Sequence, residues 1–461
     1  MRARTAVAIA CAAIAGCASV TERTSREATT PHALGRIGVT SHLGHGDYYG
    51  LWDSAKTSRA DRELYFGLLA GSGATFHRDL YCDWAAVQPT RSGAYDFALS
   101  DEMVSRAAHA GIGVVALCWG SPIWAVTDEN EKDIPPGARA GLRLTLPRRS
   151  QQEQARRFFY DFVERYDGDG LRDMPGLTAP IKHYQFWDDP PDPDAYAFWL
   201  RAFWQEAKAA DGEVRVVAAG LSISDGRLGA RAWPEPAEWL DALLESPNLG
   251  GPNTPGWPFF DAVALKLPHQ LDSADAQMAA LGRCVGSVRE LLAARGALRP
   301  VWLVEYGIQE DAGGGAEQAA AAVKTAVGAL SLGVERVAWA SLWDLRVPGG
   351  GADLRVGLLA EAAPAEAPNP KPAYAALRTL AEALEGARTI ENTSPGIYRI
   401  QGPQLETYVC WDAGRDTVPP WNAADRLAIT DMYGTASTAM GQDVLPGAAP
   451  VYVRPSGASA P

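Results

Sequence analysis

Between Leu34 and about Gly386 eight short apolar runs rich in β-branched residues alternate with longer helical patterns. The runs are Gly35–Ser41, Ala74–Leu80, Gly113–Cys118, Ile181–Trp187, Arg215–Leu221, Phe260–Leu267, Val301–Tyr306 and Val337–Trp343. Most are almost continuously apolar, the pattern of parallel strands covered on both faces rather than of half-solvated antiparallel ones. Helical periodicity fills Leu99–Ala110, Gln151–Tyr166, Ala195–Ala210, Ala237–Leu244, Ala274–Arg295, Ala316–Leu332 and Pro372–Leu384. Ser150 and Glu153 have the spacing of a capping box for the second of these. Eight βα units in this span predict a (β/α)8 (TIM) barrel, with its functional loops at the C-terminal ends of the strands. A doubly wound sheet would carry a glycine-rich first turn for a phosphate, whereas Gly35-Arg36-Ile37-Gly38 lies inside the first strand.

Outside residues 35–386 the chain changes character. Arg2 and Arg4 precede an eleven-residue apolar run, Ala6–Gly16, too short for a permanent membrane span but suited to a secretory signal. Ile14-Ala15-Gly16-Cys17 resembles the bacterial lipobox, which implies lipidation at Cys17, with residues 1–17 as the signal and Ser/Thr-rich residues 18–34 as a tether. The implied location is the cell envelope, lipid-anchored at the outer membrane or a periplasmic or extracellular face, since Ala18 rather than Asp follows the Cys. After Gly386, short alternating runs separated by Gly, Pro and Asn turns (Gly396–Ile400, Leu405–Trp411, Leu427–Met432, Val451–Pro455) predict a small antiparallel β-sandwich over 387–461.

Composition narrows the function. A net charge of −13 disfavours nucleic acid or an anionic membrane surface as a partner, which leaves the N-terminal lipid as the only expected membrane contact. Six Cys show no CxxC or Cys/His spacing and seven His are scattered, so neither a metal nor another cofactor is expected. Cys82 and Cys118 close adjacent strands, where buried free thiols are favoured over a disulfide. There are 15 Trp, as many as Tyr and more than Phe, and broad indole faces suit stacking on sugars.

Two strand ends carry acids. Glu305 follows the apolar run from Pro300 to Val304, and Asp188 and Asp189 follow Trp187. Facing carboxylates are the minimum equipment for glycoside hydrolysis, one as nucleophile and one as proton donor. Bland alternatives stand beside this reading: Glu305 as a buried partner of Arg78, and Asp188–Asp194 as a solvated acidic loop or a calcium loop, which Pro190, Pro191 and Pro193 would restrict.

Over residues 35–461 the order of motifs resembles clan A glycoside hydrolases, most closely the family 39 type and related exopolysaccharide glycosidases. The resemblance rests on Phe76-His77-Arg78-Asp79-Leu80 with Trp84, Pro89, Gly93, Tyr95-Asp96-Phe97 and Asp101, and on Ser121-Pro122-Ile123-Trp124-Ala125. Trp302-Leu303-Val304-Glu305-Tyr306-Gly307 is similar to the family's nucleophile strand. Trp343, Gly357-Leu358 and Lys371-Pro372-Ala373-Tyr374-Ala375-Ala376-Leu377 are similar to its strand 8 exit and final helix. The resemblance implies Glu305 as nucleophile, Arg78 as its partner, Asp189 as acid/base, and a polysaccharide or oligosaccharide substrate. Asp188, Trp119, Trp124, Trp187, Tyr306, Trp339 and Trp343 are the candidate substrate contacts.

Two departures lie on the proton-transfer side. The family's Trp-Asn-Glu-Pro reads Trp187-Asp188-Asp189-Pro190 here, and its His-Pro-Tyr at strand 6 reads Lys266-Leu267-Pro268-His269. Replacing Glu by Asp withdraws the carboxyl by about 1.5 Å, one C–C bond, which would open a retaining pair toward inverting spacing. Two adjacent Asp residues repel, which should raise one pKa and suit a proton donor. The alternative is a glycan-binding protein that keeps the groove but not the chemistry.

Overall fold

In the barrel region, eight strands pair in chain order and close, β8 onto β1, with every pairing parallel. They are β1 (Ile37–Thr40), β2 (Phe76–Cys82), β3 (Gly113–Cys118), β4 (His183–Phe186), β5 (Arg215–Ser222), β6 (Ala262–Lys266), β7 (Val301–Tyr306) and β8 (Arg336–Ala340). The computed structural model describes residues 34–44, 59–223, 235–268, 271, 273–310, 314–344, 354–360, 368–403, 405–412, 419–444 and 446–455. The signal, Cys17 and nearly all of the tether therefore lie outside the described residues, as does His269.

Strand alternation sorts the barrel's side chains. Phe76, Val115, Val217, Ala262, Ala264, Trp302, Val304 and Ala338 form one buried cluster inside the barrel. The opposite faces pack against the surrounding helices in a larger core that includes Phe159, Phe186, Trp199, Phe203 and Leu281. Burial on both faces is why the strands read as apolar runs.

The helices anticipated from the sequence are present within a residue or two of their expected ends. Arg59–Gly71 and the shorter helices Trp84–Val87, Ile123–Val126 and Pro136–Arg143 are not anticipated; in the first, Phe66 and Leu69 are buried, Leu64 is exposed and Gly67 interrupts the pattern. The Ser150–Glu153 capping box does not form. Ser150 lies in a 3-10 turn, Arg149–Gln151, and Gln151 takes the cap position of helix Gln152–Arg165 without a side-chain hydrogen bond. The turn has already consumed the residues that a box would use.

Beyond the last barrel helix (Pro372–Ala383), six antiparallel strands form one sheet. With the two-residue ribbon strands β9 (Leu359–Ala360) and β10 (Asn369–Pro370) numbered first, they are β11 (Thr389–Ser394), β12 (Ile397–Gly402), β13 (Leu405–Cys410), β14 (Arg426–Asp431), β15 (Ala436–Met440) and β16 (Val451–Pro455). The order is β11-β12-β13-β16-β14-β15. One face, with Ile390, Tyr398, Ile400, Val409 and Tyr452, joins the barrel's outer core. The other buries Ile397, Tyr408, Cys410, Leu427 and Val453 beneath Trp421 and Val444. This two-sided burial is the layered arrangement that the alternating runs predicted.

Candidate active site

Arg78 sits mid-strand on β2, one residue pair above Phe76, and so points into the barrel. Its side chain is 1% exposed and meets three partners. Nε donates to Gln185 Oε1 at 2.7 Å, Nη1 donates to Glu305 Oε1 at 2.7 Å, and Nη2 pairs with Asp188 Oδ1 at 2.9 Å. Burial opposes its charge, but Asp188 and Glu305 hold its pKa above the ordinary arginine value.

Glu305 reaches this position through a register irregularity. Trp302 and Val304 both face the barrel interior, so strict alternation would send Glu305 outward. The β6–β7 ladder instead skips a residue, Leu265 opposing Leu303 and Lys266 opposing Glu305. Such a bulge re-aims the residue that follows it. The Val304 carbonyl accepts a hydrogen bond from Thr40 Oγ1 of β1 at 2.6 Å.

Asp188 and Asp189 follow β4 on a backbone bent by two positive φ angles, 65° at Trp187 and 40° at Asp189. Asp189 N–H is held by the Gly220 carbonyl at 3.1 Å. Gly220 is also the reason Asp188 fits, because a Cβ there would stand 1.8 Å from Asp188 Oδ1.

The residue that sequence reasoning missed is Lys266, at the end of β6. Its Nζ donates to Asp188 Oδ2 at 3.1 Å and to Asp189 Oδ2 at 2.5 Å. Asp189 additionally accepts from Ser222 N–H at 2.9 Å and Ser222 Oγ at 3.1 Å. An unbroken chain of alternating charge results: Glu305, Arg78, Asp188, Lys266, Asp189. The repulsion anticipated between the two Asp residues is thus bridged by a cation. Burial pushes the Asp189 pKa up, Lys266 opposes that rise and Asp188 adds to it, with a net upward direction. The Lys266 pKa is also raised: its burial favours the neutral amine, and Asp188, Asp189 and Glu305 outweigh that. A lysine closing an otherwise apolar run, Ala262–Leu265, is the same signal that identified Glu305.

The candidate aromatic contacts divide. Trp119 is half-buried and lines a cavity of about 670 Å3 beside the ends of β2 and β3, with Leu80, Asp83, Arg139 and Arg143; none of the five charged residues above lines it. Trp124 is half-buried, stands edge-on to Trp84 and donates its indole N–H to the Gln88 carbonyl at 3.2 Å. Trp187 and Trp343 are 3% and 8% exposed and belong to the core. Tyr306 and Trp339 are wholly buried, edge to face with each other; the Tyr306 hydroxyl donates to Ala322 O at 3.1 Å and the Trp339 indole to Val356 O at 3.0 Å. As the residue after Glu305, Tyr306 turns to the helix side of the sheet, so neither ring offers a face for a sugar. The expectation that these two contact substrate is corrected accordingly.

The acidic loop after β4 is engaged within the fold. Asp192 caps helix Pro193–Ala210, and Asp194 accepts from Ser246 Oγ at 2.6 Å and Asn248 Nδ2 at 2.7 Å. Cys82 and Cys118 oppose each other across β2 and β3 as buried, unbridged thiols.

No family model matches the chain, and no curated protein matches it. Solved structures do. A family 39 glycoside hydrolase from the gut symbiont Bacteroides cellulosilyticus WH2 superposes with a TM-score of 0.64 at 15% identity, covering 91% of this chain and 80% of that one. A family 30 endoxylanase from Clostridium papyrosolvens C71 gives 0.55 at 12% identity, covering 92% and 96%. A family 51 α-L-arabinofuranosidase from Bifidobacterium longum gives 0.52 at 14% identity, again covering 92% and 96%. At these identities the likeness is one of fold, and it includes most of the chain.

Proposed function

We propose that this protein is a glycosidase of the retaining type acting on an extracellular or cell-envelope polysaccharide. Glu305 is the nucleophile and Asp189 stands in for the usual glutamic acid/base. The observation that supports this most directly is the joining of Glu305 at the end of β7 to Asp188 and Asp189 after β4, through Arg78 and Lys266, at the barrel face where this fold carries its chemistry. In this reading the Glu305 carboxylate attacks the anomeric carbon and the glycosidic C–O bond breaks. The leaving oxygen takes a proton from Asp189; water, giving a proton back to Asp189, then attacks the anomeric carbon and frees the Glu305 carboxylate. Arg78 and Asp188 position the nucleophile and the substrate, and Trp119 and Trp124 are the aromatic rings with exposed surface to contribute. The proposal includes lipidation at Cys17 and an envelope location, tested by whether Cys17→Ser releases a membrane-associated protein in soluble form.

A second reading is favoured by one feature, the three donors already directed at Asp189 from Lys266 and Ser222. A carboxylate so occupied is a poor proton donor, and general acid–base catalysis supplies about 10²–10⁴-fold. The protein would then bind glycans without cleaving them. A panel of aryl glycosides with good and poor leaving groups separates the two. A glycosidase turns over activated substrates, loses this in Glu305→Gln, and gains on poor leaving groups when Asp188→Asn and Asp189→Glu are combined with replacement of Lys266 by Met. No turnover in any of these proteins, with glycan affinity retained, would establish the binder.

A further inference from the structure

Between helix Gln152–Arg165 and β4 the chain runs Asp167-Gly168-Asp169-Gly170-Leu171-Arg172-Asp173. The two ends of this loop are tied down, Met174 N–H to Arg165 O and Ile181 N–H to Tyr166 O, both at 2.8 Å. Within it, one carboxylate oxygen from each of Asp167, Asp169 and Asp173 lies within 4.8 Å of those of the other two. Among the described residues no other trio of His, Cys, Asp or Glu is brought so close. Asp167 sets this cluster apart from a solvated acidic turn. It is 3% exposed, and although Oδ1 accepts the Asp169 N–H at 3.1 Å, Oδ2 has no hydrogen-bond partner.

A buried carboxylate oxygen with no donor is costly unless a cation or a proton meets it. The neighbouring side-chain cations are engaged elsewhere. Arg165 pairs with Asp101 at 2.6 Å, Arg172 pairs with Asp161, and Lys182 Nζ binds Asp211 at 2.6 Å and the main-chain oxygen of Asp167, not its carboxylate. The group is thus short of positive charge. Oxygens 2.3–2.6 Å from a shared centre lie at most about 5 Å apart, so the spacing suits one hard cation.

We infer that residues 167–173 form a calcium site in which Asp167, Asp169 and Asp173 supply the side-chain oxygens. The all-oxygen donor set favours a hard cation over zinc, which prefers nitrogen and sulfur, and three loop carboxylates suit the variable coordination of Ca2+ better than the strict octahedron of Mg2+. The bound ion braces the segment that delivers β4, and with it Asp188 and Asp189, to the barrel mouth.

The full-length protein, stripped with a chelator, tests this by titration with Tb3+, whose luminescence the adjacent Tyr166 sensitises, followed by displacement with Ca2+. Saturable binding with a Kd below about 1 mM is expected, reversed by Ca2+ far better than by Mg2+. A rise in melting temperature on adding Ca2+ is expected alongside. Asp167→Asn and Asp173→Asn should each weaken binding at least about tenfold and lose the thermal response. The inference is overturned if neither Tb3+ nor Ca2+ saturates the wild type in that range, or if both variants respond as the wild type does. It is overturned equally if Asp167→Asn alone stabilises a wild type that ignores Ca2+, since the cluster then holds a proton. Should the variants not fold, the wild-type titration decides alone.

Discussion

Replacing Lys266 by Met removes the cation that joins Asp188 to Asp189 while keeping most of its hydrocarbon volume. The Lys266 side chain is 11% exposed, and its partners are 7% and 23% exposed, so the ion pairs are largely shielded from water. Removing one member of a buried pair typically costs about 3–5 kcal/mol, because the remaining charge is left uncompensated. Partial exposure of Asp189 places this case at the lower end, about 3 kcal/mol at neutral pH. The loss should depend on pH in a defined direction. The Asp189 pKa is already raised by burial against the pull of Lys266, and without that pull it rises further. A carboxyl with a raised folded-state pKa destabilises the fold once the unfolded chain can ionise it, and the penalty grows until the pH passes the folded value. Lys266→Met should therefore be close to wild-type stability near pH 4 and fall behind as pH rises toward 8. Lys266 itself, with its pKa raised, titrates far above this window and adds no slope. Urea unfolding at several pH values measures the difference, and a double-mutant cycle with Asp189→Asn should show a coupling of about 1–3 kcal/mol at pH 7.5. A loss that is the same at pH 4.5 and 7.5, and unchanged in the Asp189→Asn background, would refute the network as the cause.

Gly220→Ala places a Cβ 1.8 Å from Asp188 Oδ1 and 2.8 Å from Gln185 Nε2, so it should cost about 1–3 kcal/mol and detach Asp188 from Arg78. Gly286→Ala, in helix Ala274–Ala294 with nothing within 4 Å of its new Cβ, is the control and should stabilise by up to about 1 kcal/mol; thermal melts of both check the pair. Ending the chain at Gly386 uncovers the helices that Ile390, Tyr398, Ile400, Val409 and Tyr452 pack against. The truncated barrel should aggregate or melt well below the full chain, and an unchanged melting temperature would show that the sheet contributes nothing to the barrel.

The barrel was legible because its strands are buried on both faces, so each of the eight appears as an apolar run whatever its register. Register is the property that such runs conceal. A strand covered on one side displays its alternation, but Trp302-Leu303-Val304-Glu305-Tyr306 is apolar on both sides and hides the bulge. Strict alternation from Trp302 would have sent Glu305 to the helices and Tyr306 to the mouth, the reverse of what the fold does. Glu305 was found instead because a charged residue ending an apolar strand must face either water or a partner, and Arg78 supplied the partner. Tyr306 and Trp339 misled because an aromatic ring near a strand end satisfies either face equally well.

Lys266 obeys the same rule as Glu305, a charged residue closing an apolar strand and meeting buried partners. Its presence explains how two adjacent aspartates fit after β4. Asp188 places a second negative charge next to Asp189, and a lone extra charge at 7% exposure would not be tolerated. With Arg78 on one oxygen and Lys266 on the other, Asp188 becomes the central link of the network. Asp188, Asp189 and Lys266 therefore form one polar arrangement. They should be exchanged together: Asp188→Asn without a change at Lys266 leaves that ammonium with Asp189 as its nearer carboxylate, binding it more tightly and lowering its pKa away from the range a proton donor requires.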